Sequence, residues 1–166
     1  MLVCGAGFFF TRCDKGSSAW NFLTKKQAAQ VRLMSSFIIP SDDEPGALEA
    51  NVVGFIDKQL ATNYQRWQDD YRLGLAAADE TSKKLYGRAL LDLSPEKMHE
   101  LLGKFEQNQV PEGTWRHKNA STFFNLIIDH CLQGFYGDPR HGGNLNHVSY
   151  QMLKLEVIDT SLIFNS

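Results

Sequence analysis

From Thr24 to about Tyr150, apolar side chains recur every three or four residues, and Pro and Gly punctuate the pattern between segments. That spacing lines one face of an α-helix. No convincing two-residue alternation occurs before the last dozen residues. The pattern predicts an all-α, single-domain bundle of about five to seven amphipathic helices, with a Gly/Pro-rich C-terminal loop and an extended tail. Thr24 followed by Gln27 is a capping-box pair. Behind it, Ala28, Val31, Met34, Phe37 and Ile38 form a stripe that Pro40 ends, because proline lacks an N–H and clashes with the preceding turn. The acidic turn Ser41 to Gly46 is expected to lie against the N-terminal dipole of a second helix, buried through Leu48, Val52, Phe55, Ile56 and Leu60.

A third helix is expected from about Tyr64 to Ser82, with Tyr64, Trp67, Tyr71, Leu75 and Ala78 on a half-wet face, since Tyr and Trp need a partner for their polar atom. Ser94-Pro95-Glu96 is a helix start, with Met98, Leu101, Leu102 and Phe105 behind it. The polar stretch Glu106 to Asn119 is the longest loop and the candidate for mobility. Asn119 or Ser121 caps the last clear helix, whose Phe123, Phe124, Ile127, Ile128, Cys131, Leu132 and Phe135 place it at the centre of the bundle.

Composition narrows the function classes. The 166 residues are 43% hydrophobic and 22% charged, as in ordinary globular domains. Seventeen basic against nineteen acidic side chains leave a formal charge of -2, without a basic run longer than two residues. That speaks against a phosphate-backbone binder. The apolar run Met1 to Phe10 is about half the length that spans a bilayer. It reads either as the remnant of an export signal whose basic segment lies upstream or as a hydrophobic arm, and its three consecutive Phe favour the remnant. The chain divides into an N-terminal apolar segment (1–23), a helical domain (24–155) and a tail (156–166). Cys4, Cys13 and Cys131 include no C-x-x-C pair, so they indicate neither a disulfide framework nor a zinc cage. Cys131 reads as a small buried hydrophobe, and Arg12 speaks against lipid attachment at Cys13.

No nucleotide loop, H-E-x-x-H, G-x-S-x-G or haem-attachment motif is present, and no residue is assigned a catalytic, cofactor-binding or metal-binding role. The alternative is a small metal- or redox-binding protein using His130, Cys131, His141 and His147, near Asp138. A helix sets His130 and Cys131 about 100° apart, which favours structural histidines. The pairs Asp42-Asp43, Asp69-Asp70 and Asp79-Glu80 are expected to serve as caps and solvated faces. Gly134 to Asn144 stands out, with four glycines and a proline in eleven residues. Gly137 is expected to close the helix in a left-handed cap, Asp138-Pro139 to turn, and Gly142-Gly143 to take dihedrals other residues avoid. Phe135, Tyr136, Asp138, Pro139, Gly142, Gly143 and Asn144 are therefore the candidate partner-interface residues.

The stretch Gly134 to Asn144, with Val148 and Tyr150 after it, resembles the C-terminal signature of the gluconate 2-dehydrogenase subunit 3 family. Phe37 to Ala47 through Val53 to Leu60 is similar to that family's other block, and the likeness covers roughly Lys25 to Lys154. The resemblance implies a non-catalytic small subunit of a periplasmic or membrane-associated sugar, gluconate or glucoside dehydrogenase. Its FAD would sit in a large glucose–methanol–choline-type flavoprotein subunit, and a cytochrome c would often take the electrons. Small subunits of this kind commonly carry a twin-arginine export signal for their partner. No twin arginine occurs here, so a cytoplasmic location is expected if Met1 is the true start. The ending after Tyr150 also departs from the family, and Val157 to Phe164 reads as an extended arm or a short packed strand.

Overall fold

The computed structural model describes residues 20–155. Those residues form six α-helices, and no strand occurs among them: α1 (Lys25–Ile38), α2 (Val52–Ala61), α3 (Gln68–Tyr86), α4 (Pro95–Glu106), α5 (Ala120–Tyr136) and α6 (Val148–Met152). The all-α single bundle is as the periodicity implies. The segments 1–19 and 156–166, which carry the apolar run and the tail, lie outside the described residues.

Local chemistry sets most boundaries. The Thr24 hydroxyl accepts from the Gln27 N–H at 3.2 Å, and the Gln27 side chain accepts from the Thr24 N–H at 3.0 Å, completing the capping box of α1. Ser94 caps α4 with Pro95 in its first turn, and Asn119, rather than Ser121, caps α5 by accepting from Thr122 N–H at 2.8 Å. Helix α5 runs through the middle of the bundle and packs against the other five helices. Its Phe123, Ile127, Cys131 and Phe135 are buried among α1 to α4.

Several expectations are corrected. Helix α2 begins only at Val52, so the turn 41–46 is not at its N-terminus and Leu48 is exposed. Within the turn Asp42 accepts from Glu44 N–H, and Glu49, just after it, reaches back to accept from the Ser41 hydroxyl and from Gly46 N–H. A 3-10 turn, Gln65–Trp67, precedes α3, which continues to Tyr86. On α5, Leu132 faces outward and Ile128 is only half-buried, because a central helix still leaves one strip uncovered. Asp70 and Asp79 are not solvated faces but buried tie points. Asp79 binds Lys26 and Lys83 and accepts from Leu90 N–H. Burial raises its pKa, but those partners outweigh burial and hold it at about 2.

The polar loop, which runs from 107 to 119 because α4 takes Glu106, is tied to its neighbours at several points. Asn108 accepts from Ala120 N–H, Trp115 donates to Thr81, and His117 and Lys118 both reach Asp70. Ahead of α1, Asn21, Phe22 and Leu23 donate their backbone N–H groups to the buried carboxylate of Asp57 on α2. No described helix is long and apolar enough to cross a membrane.

Candidate functional site

The loop after α5 is built by side chains that hold its backbone carbonyls from outside. Gly137 leaves the helix in an extended conformation (φ −72°, ψ 173°), not the left-handed cap expected, while its N–H still closes on Gln133 O at 2.9 Å. Asp138 then caps the 3-10 turn Pro139–His141, accepting from Arg140 N–H at 2.9 Å and from the Arg140 guanidinium at 2.8 and 3.0 Å. Those bonds hold its carboxyl at about 2. Gly142 takes φ +103°, a conformation that side chains rarely adopt.

Three side chains at or on α2 reach this turn. Lys58 donates to Arg140 O at 2.9 Å, Gln59 to His141 O at 3.2 Å, and Asn51 to Gly142 O at 3.2 Å. Asn51 itself has φ 54°, and its amide lies where a Cβ on Gly54 would stand, 2.3 Å away. Gly143 and Asn144 then press against the end of α5. Asn144 N–H bonds to Gly134 O at 2.8 Å, and a Cβ on Gly143 would come within 2.1 Å of that oxygen. The Asn144 side chain donates to Gly137 O and accepts from Ser149 N–H, tying the loop to both α5 and α6. Leu145 N–H completes the join on Ala50 O.

The seven candidate interface residues thus divide. Phe135, Gly143 and Asn144 are buried within the chain and shape the loop, whereas Tyr136 is exposed and Asp138, Pro139 and Gly142 are half-buried. Leu132, Tyr136 and Leu145 supply exposed apolar surface on α5 and the loop, and the Arg140 side chain in the same loop is 85% exposed. Sequence reasoning missed Asn51, Lys58 and Gln59. Their role depends on contacts more than 80 residues away in the chain, which no periodicity shows, although Lys58 and Gln59 lie within the family-like block Val53 to Leu60.

The histidine–cysteine group does not converge. His130 is buried, its ring stacked on Tyr64 (4.5 Å) and Tyr71 (5.7 Å), with Nδ1 sharing a hydrogen bond with the Tyr71 hydroxyl at 2.9 Å. Burial lowers its pKa to about 4, so it is neutral at pH 7. Burial likewise pushes the Cys131 thiol up to about 12, so it is protonated at pH 7. Among the described residues, no three His, Cys, Asp or Glu side chains gather as a metal site.

The described residues thus define an all-helical bundle whose Gly/Pro-rich loop is fastened to α2, α5 and α6. The chain belongs to the gluconate 2-dehydrogenase subunit 3 family, which matches over residues 25–155. It is thus a subunit type of a dehydrogenase complex, with a dehydrogenase as its partner. Searches of the curated proteins and of the solved structures return no match.

Proposed function

We propose that this chain is a non-catalytic accessory subunit that binds and stabilises an FAD-dependent sugar, gluconate or glucoside dehydrogenase of the glucose–methanol–choline type, and assists its export. The flavin is assigned to the large subunit, with a cytochrome c as a further partner, and the complex to the periplasm or its membrane face. The observation that carries this reading is the junction of the two family-like blocks. Residues 50–59 and 134–145 are distant in sequence, yet they bond to one another through Asn51, Lys58, Gln59 and the Leu145 N–H. A surface held this rigidly loses little freedom on docking. Exposed Tyr136 and Leu145 give it the apolar anchors an interface uses. Among the described residues there is no strand, so the strand–turn–helix cradle for a dinucleotide pyrophosphate is not formed there.

Co-expression with a large flavoprotein dehydrogenase of the glucose–methanol–choline type tests the proposal. The large subunit is expected to be soluble, exported and active only with this chain, and Tyr136→Ala combined with Leu145→Glu should reduce co-purification without lowering the small subunit's melting temperature. A large subunit that is equally soluble, exported and active alone overturns it.

A further inference from the structure

On a different side of the bundle, α3 and the loop 107–119 enclose a partly open groove of about 400 Å³. That is within the range of small-ligand sites, roughly 300–1,000 Å³. Its walls are apolar: Leu73 and Ala77 from α3, Trp115 from the loop and Phe123 from α5. Leu73 is 45% exposed, an uncovered leucine in a concave site. Trp115 is fixed there by its indole N–H on Thr81 (3.0 Å) and by ring contacts with Phe105 and Phe123.

The charges around the groove are not equivalent. Asp70 is already matched by His117 at 2.9 Å and Lys118 at 2.8 Å, and Lys118 also lies 4.7 Å from the Trp67 ring centre. Glu80 is paired with Lys84 at 3.2 Å. Arg116 lines the same groove, is exposed, and makes no ion pair or hydrogen bond with any other described residue. One uncompensated guanidinium therefore stands beside an apolar cleft, and a guanidinium matches a carboxylate in both charge and shape.

We propose that this groove binds a small amphipathic carboxylate, its apolar body lying against Leu73, Ala77, Trp115 and Phe123 and its carboxylate on Arg116. The apolar walls disfavour a polyhydroxylated acid, whose hydroxyls would lose water without finding partners. The site is independent of the accessory-subunit reading, since it needs only this chain.

Isothermal titration of the full chain with decanoate tests it, with decanol and gluconate as the two half-ligands. Decanoate is expected to bind saturably at one site, with decanol and gluconate at least about tenfold weaker. Arg116→Gln should weaken decanoate roughly tenfold and leave decanol unchanged. Leu73→Glu should abolish decanoate binding. Both side chains are exposed, so the two variants should melt with the wild type, and thermal unfolding checks this. Absence of saturable decanoate binding, equal binding of decanoate and decanol, tight binding of gluconate, or unchanged decanoate affinity in both variants would each overturn the proposal.

Discussion

Adjacent glycines in the clasp loop are required for different reasons, and their substitution costs should differ. At Gly142 the constraint is the backbone angle, φ +103°, and Gly142→Ala should lower stability by about 1–2 kcal/mol. At Gly143 the constraint is space: the obstructing atom is the Gly134 carbonyl oxygen, part of α5's backbone, which cannot rotate aside. Gly143→Ala should therefore cost about 2–3 kcal/mol or more, as urea unfolding will show. His130 makes a pH prediction of the same locality. Its folded pKa of about 4 lies below the ordinary histidine value of 6.5, so an unfolded chain takes up a proton in that window while the folded chain does not. Stability is then full above pH 6.5 and falls by about 3 kcal/mol as pH drops to 4. Denaturant midpoints measured across that range should show the loss, and His130→Gln should flatten it even if the variant is less stable throughout.

Among the elements, what was legible in the sequence is what depends on near neighbours. The capping box of α1, the Ser94-Pro95 start of α4 and the aromatic centre of α5 each involve residues within a turn or two of one another, and each stands where the pattern placed it. Leu48 and Leu132 show the limit: apolar residues at helical spacing are exposed when the tertiary arrangement offers them nothing to pack on. The buried acids failed for a related reason, since Asp70 and Asp79 look like surface charge until Lys118 and Lys26, 48 and 53 residues away, are brought beside them. The candidate loop was legible as a shaped segment, but the side chains that fasten it lie at or on α2. This gives an element-level expectation. In Asn51→Gly with Gln59→Ala, the glycine retains the left-handed backbone at 51 while two bonds to the loop carbonyls are lost. Each bond contributes about 1 kcal/mol. Amide exchange should accelerate roughly tenfold or more across 138–147, with little change in α4.

At the scale of the whole molecule, α2 fastens both ends of the described chain. Asn51, Lys58 and Gln59 take the C-terminal loop, and Asp57 takes the N-terminal entry, accepting from the backbone of Asn21, Phe22 and Leu23 and from the Asn21 side chain at 2.7–2.9 Å. Burial raises the Asp57 pKa, but those four bonds outweigh burial and bring it below the usual carboxylate value. The three residues before Thr24 are thus part of the folded unit, and Leu23 is itself buried. A chain beginning at Thr24 would leave the Asp57 carboxylate buried without its donors and remove the burial of Leu23, a penalty of about 3 kcal/mol or more. It should melt at least about 5 °C below a chain beginning at Trp20 when both are compared at pH 7. The sign with pH follows from the lowered pKa. Stabilisation by the four donors is present above 3.8, the unperturbed value, and is lost as pH falls through the lower folded value. The gap between the two chains should therefore narrow below about pH 4, leaving only what Leu23 contributes. A gap that stays constant from pH 7 to pH 3 would mean that hydrophobic packing, and not the Asp57 carboxylate, fastens the N-terminal end.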